Sequence, residues 1–215
     1  MLRLYTYFRS SAAYRVRITL ALKGLPYASV PVHLVRGGGE QLLPAYRAVN
    51  PAALVPALEE GGDVLTQSLA ILEYLEETHP QSPLLPADAR GRARVRSLAL
   101  TIACDVHPLG NLRVLNHLTQ AFGADDAARA SWVRHWMALG LAAFEQHLQQ
   151  GGKTGVFCHG DAPTLADCCL VPQVFNARRF GLDMGPYPKI RRIAEHCEAL
   201  PAFAEAHPAR QADAG

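Results

Sequence analysis

The sequence predicts an α/β plus all-α chain: a layer of mixed strands and helices, then a domain of helices alone. Three observations carry this. Up to Thr78, short β-prone runs alternate with helical periodicity. The next stretch, His79 to Pro86, holds Pro80, Pro83 and Pro86 and reads as a linker. Beyond Asp88 only the helical period recurs. The domains are therefore placed at 1–80 and 88–208.

The elements follow in order. Leu2–Phe8, with Leu2, Leu4 and Phe8 among Tyr5 and Tyr7, is a strand. Arg15 to Lys23 carries Val16/Leu20 and Ile18/Leu22 at helical spacing, and Gly24 closes that helix. Pro26 restarts an extended segment through Val32, and Gly37-Gly38-Gly39 is a flexible loop. Glu40 to Ala48 is a short helix stopped before Asn50-Pro51, because a residue preceding proline avoids the helical region. Leu54 to Leu58 is a strand interrupted by Pro56, turned at Gly61-Gly62-Asp63 into a strand at Val64-Leu65. Gln67-Ser68 opens a helix to Thr78 with Leu69, Ile71, Leu72 and Leu75 inward. In the second domain, Asp88 to Phe122 is one long helix kinked at Pro108. Three more follow, at Ala127–Gln150, Thr164–Arg179 and Pro188–Glu198, and the tail after Pro208 is expected to fray.

Composition excludes several classes. With 49% hydrophobic and 19% charged residues the chain is an ordinary globular one. A net charge of +2 offers no broad field for nucleic acid or anionic lipid. Arg90, Arg92, Arg94 and Arg96 are spread around a helix rather than aligned in a stripe. No apolar run approaches the ~18–20 residues of a membrane span, and the N-terminus does not read as a signal peptide. The five cysteines, Cys104, Cys158, Cys168, Cys169 and Cys197, contain no C-x-x-C pair and are read as reduced thiols in a cytoplasmic protein. No histidine or cysteine spacing suits a metal, so none is expected.

Three motifs carry a family resemblance. The run Tyr7-Phe8-Arg9-Ser10-Ser11-Ala12-Ala13-Tyr14-Arg15-Val16-Arg17 resembles the signature of zeta-class glutathione transferases, with Ala12 and Tyr14 at the family's usual cysteine and tryptophan. Thr66 to Leu75 resembles the class's glutathione-site helix, and Thr164 to Val174 its second-domain folding motif. The resemblance covers nearly the whole chain. It implies a thioredoxin-like N-terminal domain, an all-helical C-terminal domain, glutathione as cofactor and a homodimer. It also implies isomerisation of a maleyl keto acid, maleylacetoacetate or maleylpyruvate, to its fumaryl isomer in aromatic-ring or tyrosine breakdown. The alternatives are a general transferase that conjugates or dehalogenates small electrophiles, and a non-catalytic glutathione-binding module.

Ser10-Ser11 lies between a strand and a helix start. A hydroxyl there either donates to a bound thiolate, which the helix N-terminus also favours, or simply caps the helix. The resemblance assigns thiol activation first to Ser10 and second to Ser11. It makes Val55-Pro56 a cis-proline turn whose Val55 backbone pairs with glutathione. Ser68 would bind the γ-glutamyl carboxylate, or act only as a cap, with Gln67 fixing orientation. Gln41 would reach the glycyl end, and His107, Asn111 and Arg113 would contact glutathione or substrate. A maleyl substrate is a dianion, which arginine forks suit: Arg9 before the serine pair, and Arg179 in Ala-Arg-Arg-Phe. Arg178 is read as a solvated helix-end arginine. Thr164 and Asp167 form a capping box with a structural role.

Overall fold

The computed structural model describes residues 1–214. The chain divides into two compact units. The first is Met1–Pro83 together with the described residues from Ala199 on, and the second is Leu84–Glu198. A helical domain reaching 208 was expected, but the chain rejoins the first unit after Glu198.

In the first unit the order is β1 (Leu2–Thr6), α1 (Ser11–Leu22), β2 (Tyr27–Pro31), α2 (Pro44–Val49), β3 (Ala57–Glu60), β4 (Asp63–Thr66) and α3 (Ser68–Thr78). It closes with α9 (Pro201–Ala206) from the chain's far end. The sheet order is β2-β1-β3-β4. β1 runs parallel to β2, Leu4 opposite Ser29, and antiparallel to β3, Leu4 opposite Leu58. β3 pairs antiparallel with β4. The parallel pair is joined by α1, the crossover such a pair needs. This is the thioredoxin-like arrangement.

The two apolar stripes of α1 have a simple cause: every residue from Ala13 to Leu20 is buried. The helix packs on α3 on one side and on α9 on another. It also starts four residues earlier than the apolar period indicated. Ser10 caps it, and a cap lets polar residues lead a helix. β1 correspondingly ends at Thr6, and Tyr7–Ser10 form a turn closed by the Ser10 N–H on the Tyr7 carbonyl at 2.9 Å. The expected helix at 40–48 divides into a short 3₁₀ turn, Glu40–Leu42, and α2. Pro44 decides this, since proline fits the first turn of a helix and not its interior. β3 begins only after Pro56.

The second unit holds α4 (Ala89–Leu100), α5 (Leu112–Phe122), α6 (Asp126–Gln149), α7 (Leu165–Arg179) and α8 (Pro188–Glu198). The expected long helix is broken. A π-helical segment, Thr101–Val106, and a 3₁₀ turn, His107–Gly110, separate α4 from α5. Pro108 lacks an N–H and its ring would press on the carbonyl one turn back, so the helix widens ahead of it. Gly140 of α6 approaches this segment closely, and a Cβ there would overlap Val106. The core gathers Val95, Leu98, Ile102, Met137, Leu141, Phe144, Ile190 and Ile193.

The tail was expected to fray, but its described residues are held by hydrogen bonds. α9 was unforeseen, a 3₁₀ turn follows at Pro208–Arg210, and Asp213 accepts the Phe8 N–H at 3.0 Å.

Candidate active site

In the first unit the site is built from three chain reversals and a loop. The first is the Tyr7–Ser10 turn. Ser10 Oγ accepts the Ala13 N–H at 3.2 Å, so the serine is the cap of α1. A hydroxyl has two lone pairs and one proton, and the cap uses a lone pair only. The proton stays available to a second acceptor at a helix end that already favours negative charge. Ser11 is the first residue of α1 and is buried, whereas Ser10 is half-buried. Arg9 is exposed, its guanidinium carbon 4.9 Å from the Phe8 ring centre.

The second reversal precedes β3. The Val55-Pro56 bond is cis, as the resemblance implied. Tyr46 Oη and Asn50 Nδ2 each donate to the Leu54 carbonyl at 2.7 Å and fix the backbone entering Val55. Burial pushes the Tyr46 phenol up to about 12. Neither Tyr46 nor Asn50 was singled out from the sequence. Asn50 had been read only as the stop of a helix.

The third reversal starts α3. The cap position is Gln67, which makes no side-chain cap bond; Ser68 is the first helical residue, so its reading as the cap is corrected. Gln67 has φ 70° and ψ 115°, a conformation that costs a non-glycine residue about 1–3 kcal/mol and is characteristic of functional sites. The buried Ser68 Oγ accepts from Arg15 Nη1 at 3.1 Å. A fully buried guanidinium thus sits against the hydroxyl at the start of α3. Arg15 was missed as a site residue. The signal was two arginines, Arg15 and Arg17, alternating with Tyr14, Val16 and Ile18 on a helix that is otherwise apolar.

Gln41 lies in the loop after β2. Its Nε2 donates to the Leu34 carbonyl at 3.2 Å, and its Oε1 is enclosed with no hydrogen-bond partner. A sheltered acceptor without a donor is the place for an incoming N–H. Two hydroxyls at helix starts, a positive helix end, the bend at Val55 that leads into β3 and an unpaired amide oxygen suit a short peptide carrying carboxylates. This donor set fits glutathione.

In the second unit, the break between α4 and α5 carries His107, Asn111 and Arg113. Asn111 caps α5, its Oδ1 taking the Arg113 N–H at 3.1 Å. The Trp132 indole donates to the Leu109 carbonyl at 2.8 Å and holds the 3₁₀ turn. His107 is half-buried and Arg113 exposed. At the end of α7 the two arginines differ. Arg178 is exposed at the helix end, as expected, and its Nη1 also meets both Glu198 carboxylate oxygens, at 2.6 and 2.9 Å. Arg179 is exposed, its guanidinium carbon 4.4 Å from the Phe180 ring centre.

Asp167 serves the fold. One oxygen accepts the Thr164 N–H and hydroxyl at 2.8 and 2.7 Å, the other the Cys158 N–H at 2.9 Å. Burial raises its pKa while these bonds oppose the rise. Burial pushes the Cys158 thiol well up, with the Asp167 charge adding to it. All five cysteines are free thiols, and Cys104 is the exposed one. Among the described residues, no cluster of three histidine, cysteine or acidic side chains is placed to hold a metal, and no helix is long and apolar enough to cross a membrane.

Comparison with known proteins agrees with this geometry. Residues 4–83 match the glutathione S-transferase N-terminal domain family, and 126–199 the C-terminal one. The chain is 52% identical to a maleylacetoacetate isomerase of Pseudomonas aeruginosa over 99% of its own length and 98% of that protein's. It superposes with a TM-score of 0.96, at 50% identity and covering 99% and 100% of the two chains, on a holo maleylpyruvate isomerase described as a bacterial zeta-class glutathione S-transferase. A maleylacetoacetate isomerase of Methylobacterium extorquens, solved with bound malonate and glutathione, matches at a TM-score of 0.95 and 45% identity, covering 99% of each chain.

Proposed function

The chain belongs to the zeta class of the glutathione S-transferase family, and on that premise we propose that it is a glutathione-dependent cis–trans isomerase acting on a maleyl keto acid. The observation that carries this is the 52% identity, end to end, with a maleylacetoacetate isomerase. Glutathione, when bound, supplies a thiolate that adds to the activated cis double bond and leaves after rotation, so it is not consumed.

The chain's own residues hold and orient. Ser10 donates its hydroxyl proton to the sulfur, and the α1 N-terminus adds its positive end; Ser11 is the second donor. Together they keep the thiol as thiolate at neutral pH. Val55 pairs its backbone with the cysteinyl backbone in strand fashion, on the far side of the bond to Pro56. Ser68 binds the γ-glutamyl carboxylate through its hydroxyl and N–H, with the Arg15 charge behind it and Gln67 fixing the approach. Gln41 takes the glycyl end. Arg9 and Arg179 each offer a planar fork to a substrate carboxylate, and His107, Asn111 and Arg113 add contacts to glutathione or substrate. Fixed donors aimed at developing charge lower the barrier because they need no reorganisation. The solved relative that binds malonate, a dicarboxylate, together with glutathione supports a dianionic substrate. The proposal extends to a cytoplasmic homodimer: five free thiols support the location, and the usual state of the family supports the dimer.

The test is absorbance of maleylacetoacetate and of maleylpyruvate with enzyme, with and without glutathione. Isomerisation of either that requires glutathione is the expected result. Turnover of neither, with glutathione bound, leaves a conjugating enzyme or a binding module.

A further inference from the structure

The Tyr7–Ser10 turn is held from outside at three points, and each line of support leads to the far end of the chain. The buried Arg17 donates from Nη1 to the Thr6 hydroxyl and the Tyr7 carbonyl, at 2.9 and 3.3 Å, and from Nη2 to the Phe8 carbonyl at 3.0 Å. Its Nε donates to the Ala206 carbonyl of α9 at 3.1 Å. The third hold is the Phe8 N–H on Asp213 Oδ2 at 3.0 Å. Asp213 is itself fastened, because Gln211 Nε2 donates to the Glu205 and His207 carbonyls at 3.0 and 3.1 Å and secures the tail to the end of α9. Burial lowers the Arg17 pKa to about 10, still charged at neutral pH, and the Asp213 charge favours that form. Arg17 therefore fixes the turn's carbonyls, and Asp213 fixes its amide.

We propose that Asp213 is a positioning residue: by taking the Phe8 N–H it joins the C-terminal tail to the turn that presents Arg9 and Ser10, and so sets the aim of the Ser10 hydroxyl. This rests on Ser10 as the thiol's donor. The tail is then a working part of the thiol site although it is over 200 residues away in sequence. Asp213 acts through the backbone and touches no substrate. An uncharged acceptor of the same shape should replace it, since the bond to Phe8 is what matters.

The experiment compares wild type with Asp213→Ala, Asp213→Asn and Ser10→Ala. Three readouts are taken: exchange of the Phe8 amide in the free protein, ultraviolet titration of the bound glutathione thiol, and kcat beside the calorimetric glutathione Kd. In Asp213→Ala the Phe8 amide should exchange faster and the bound thiol titrate higher. Its kcat should fall about 3- to 10-fold, less than the ~10²-fold of a 1 Å misplacement, while Kd stays within about twofold. Asp213→Asn should restore all of these. An unshifted titration in Asp213→Ala, with Ser10→Ala shifted, overturns the positioning role and leaves the Ser10 reading standing. An unshifted titration in Ser10→Ala overturns both. Asp213→Asn as defective as Asp213→Ala, or kcat and affinity falling together, overturns the hydrogen-bond role.

Discussion

Replacing Ser10 separates the cap that its hydroxyl provides from the thiol-donor role proposed for it. Its Oγ accepts the Ala13 N–H at 3.2 Å, so Ser10→Ala leaves an orphan donor at the start of α1. Loss of such a cap costs about 0.5–2 kcal/mol, whereas glycine at a cap costs only a few tenths. For a chain of this size ~1 kcal/mol lowers Tm by roughly 2–4 °C. The chemical job has a different magnitude. A hydrogen bond to a charged acceptor is worth about 1.5–3 kcal/mol. At 1.36 kcal/mol per pKa unit, losing the donor raises the bound thiol's pKa by about 1–2 units. Ser10→Ala should therefore show both losses. Ser10→Gly should show the thiol shift with a melting temperature close to wild type. Thermal melts and the thiolate absorbance of the glutathione complex against pH give the two numbers, and Ser11→Ala should move the titration less. A Ser10→Gly titration that overlays wild type would refute the donor role and leave Ser10 as a cap.

Substitutions at Ser68, at the two arginines ending α7 and at Asp167 have further expected outcomes. Ser68→Ala removes the acceptor of the buried Arg15 Nη1, so calorimetric glutathione affinity should fall at least tenfold, with about 1–3 kcal/mol of stability lost; unchanged affinity in the folded variant would misplace the γ-glutamyl anchor. Arg179→Ala should raise KM for the dianionic substrate about 10- to 100-fold. Arg178→Ala, which breaks only its exposed pair with Glu198, should leave KM alone and cost under ~1 kcal/mol. Asp167→Ala strands three buried donors and should destabilise by about 3 kcal/mol or more in urea unfolding. Because burial raises the Asp167 pKa in the fold, the native state binds the proton more readily than the unfolded chain, so through this group stability falls as pH rises between the two values. Asp167→Asn should remove that slope from the urea midpoints.

Much of this was legible because it is written locally. The apolar periods of α1, α3, α6, α7 and α8 mark helices whatever their partners, and the Thr164–Asp167 spacing specifies its own cap. What escaped depends on contacts made at a distance. α9 is six residues long, too short for a period to show. The π-helical break lies ahead of Pro108, yet the sequence offers only the proline and not the way the helix yields to it. Asn50 reads as a helix stop until its amide is seen on the Leu54 carbonyl. The Ala-rich tail reads as loose because nothing near Asp213 in sequence announces Phe8 as its partner.

Arg15 and Arg17 show why the site drew on residues that looked like ordinary helix. A helix buried on every side has to satisfy any charge it carries, because an unpaired buried ion costs several kcal/mol. Arg17 meets that demand with backbone carbonyls of the turn that leads into Ser10, and Arg15 sets its Nη1 against the hydroxyl that leads α3. Each arginine thereby locks a loop into the position its own hydrogen bonds need. The same economy governs the serines. Ser10 spends a lone pair on Ala13 and Ser68 one on Arg15, and each bond restricts the rotation of its hydroxyl without using the proton. On the proposed mechanism each group serves twice: its acceptor side is fixed by the fold, and its proton is left for a thiolate at Ser10 and a carboxylate at Ser68.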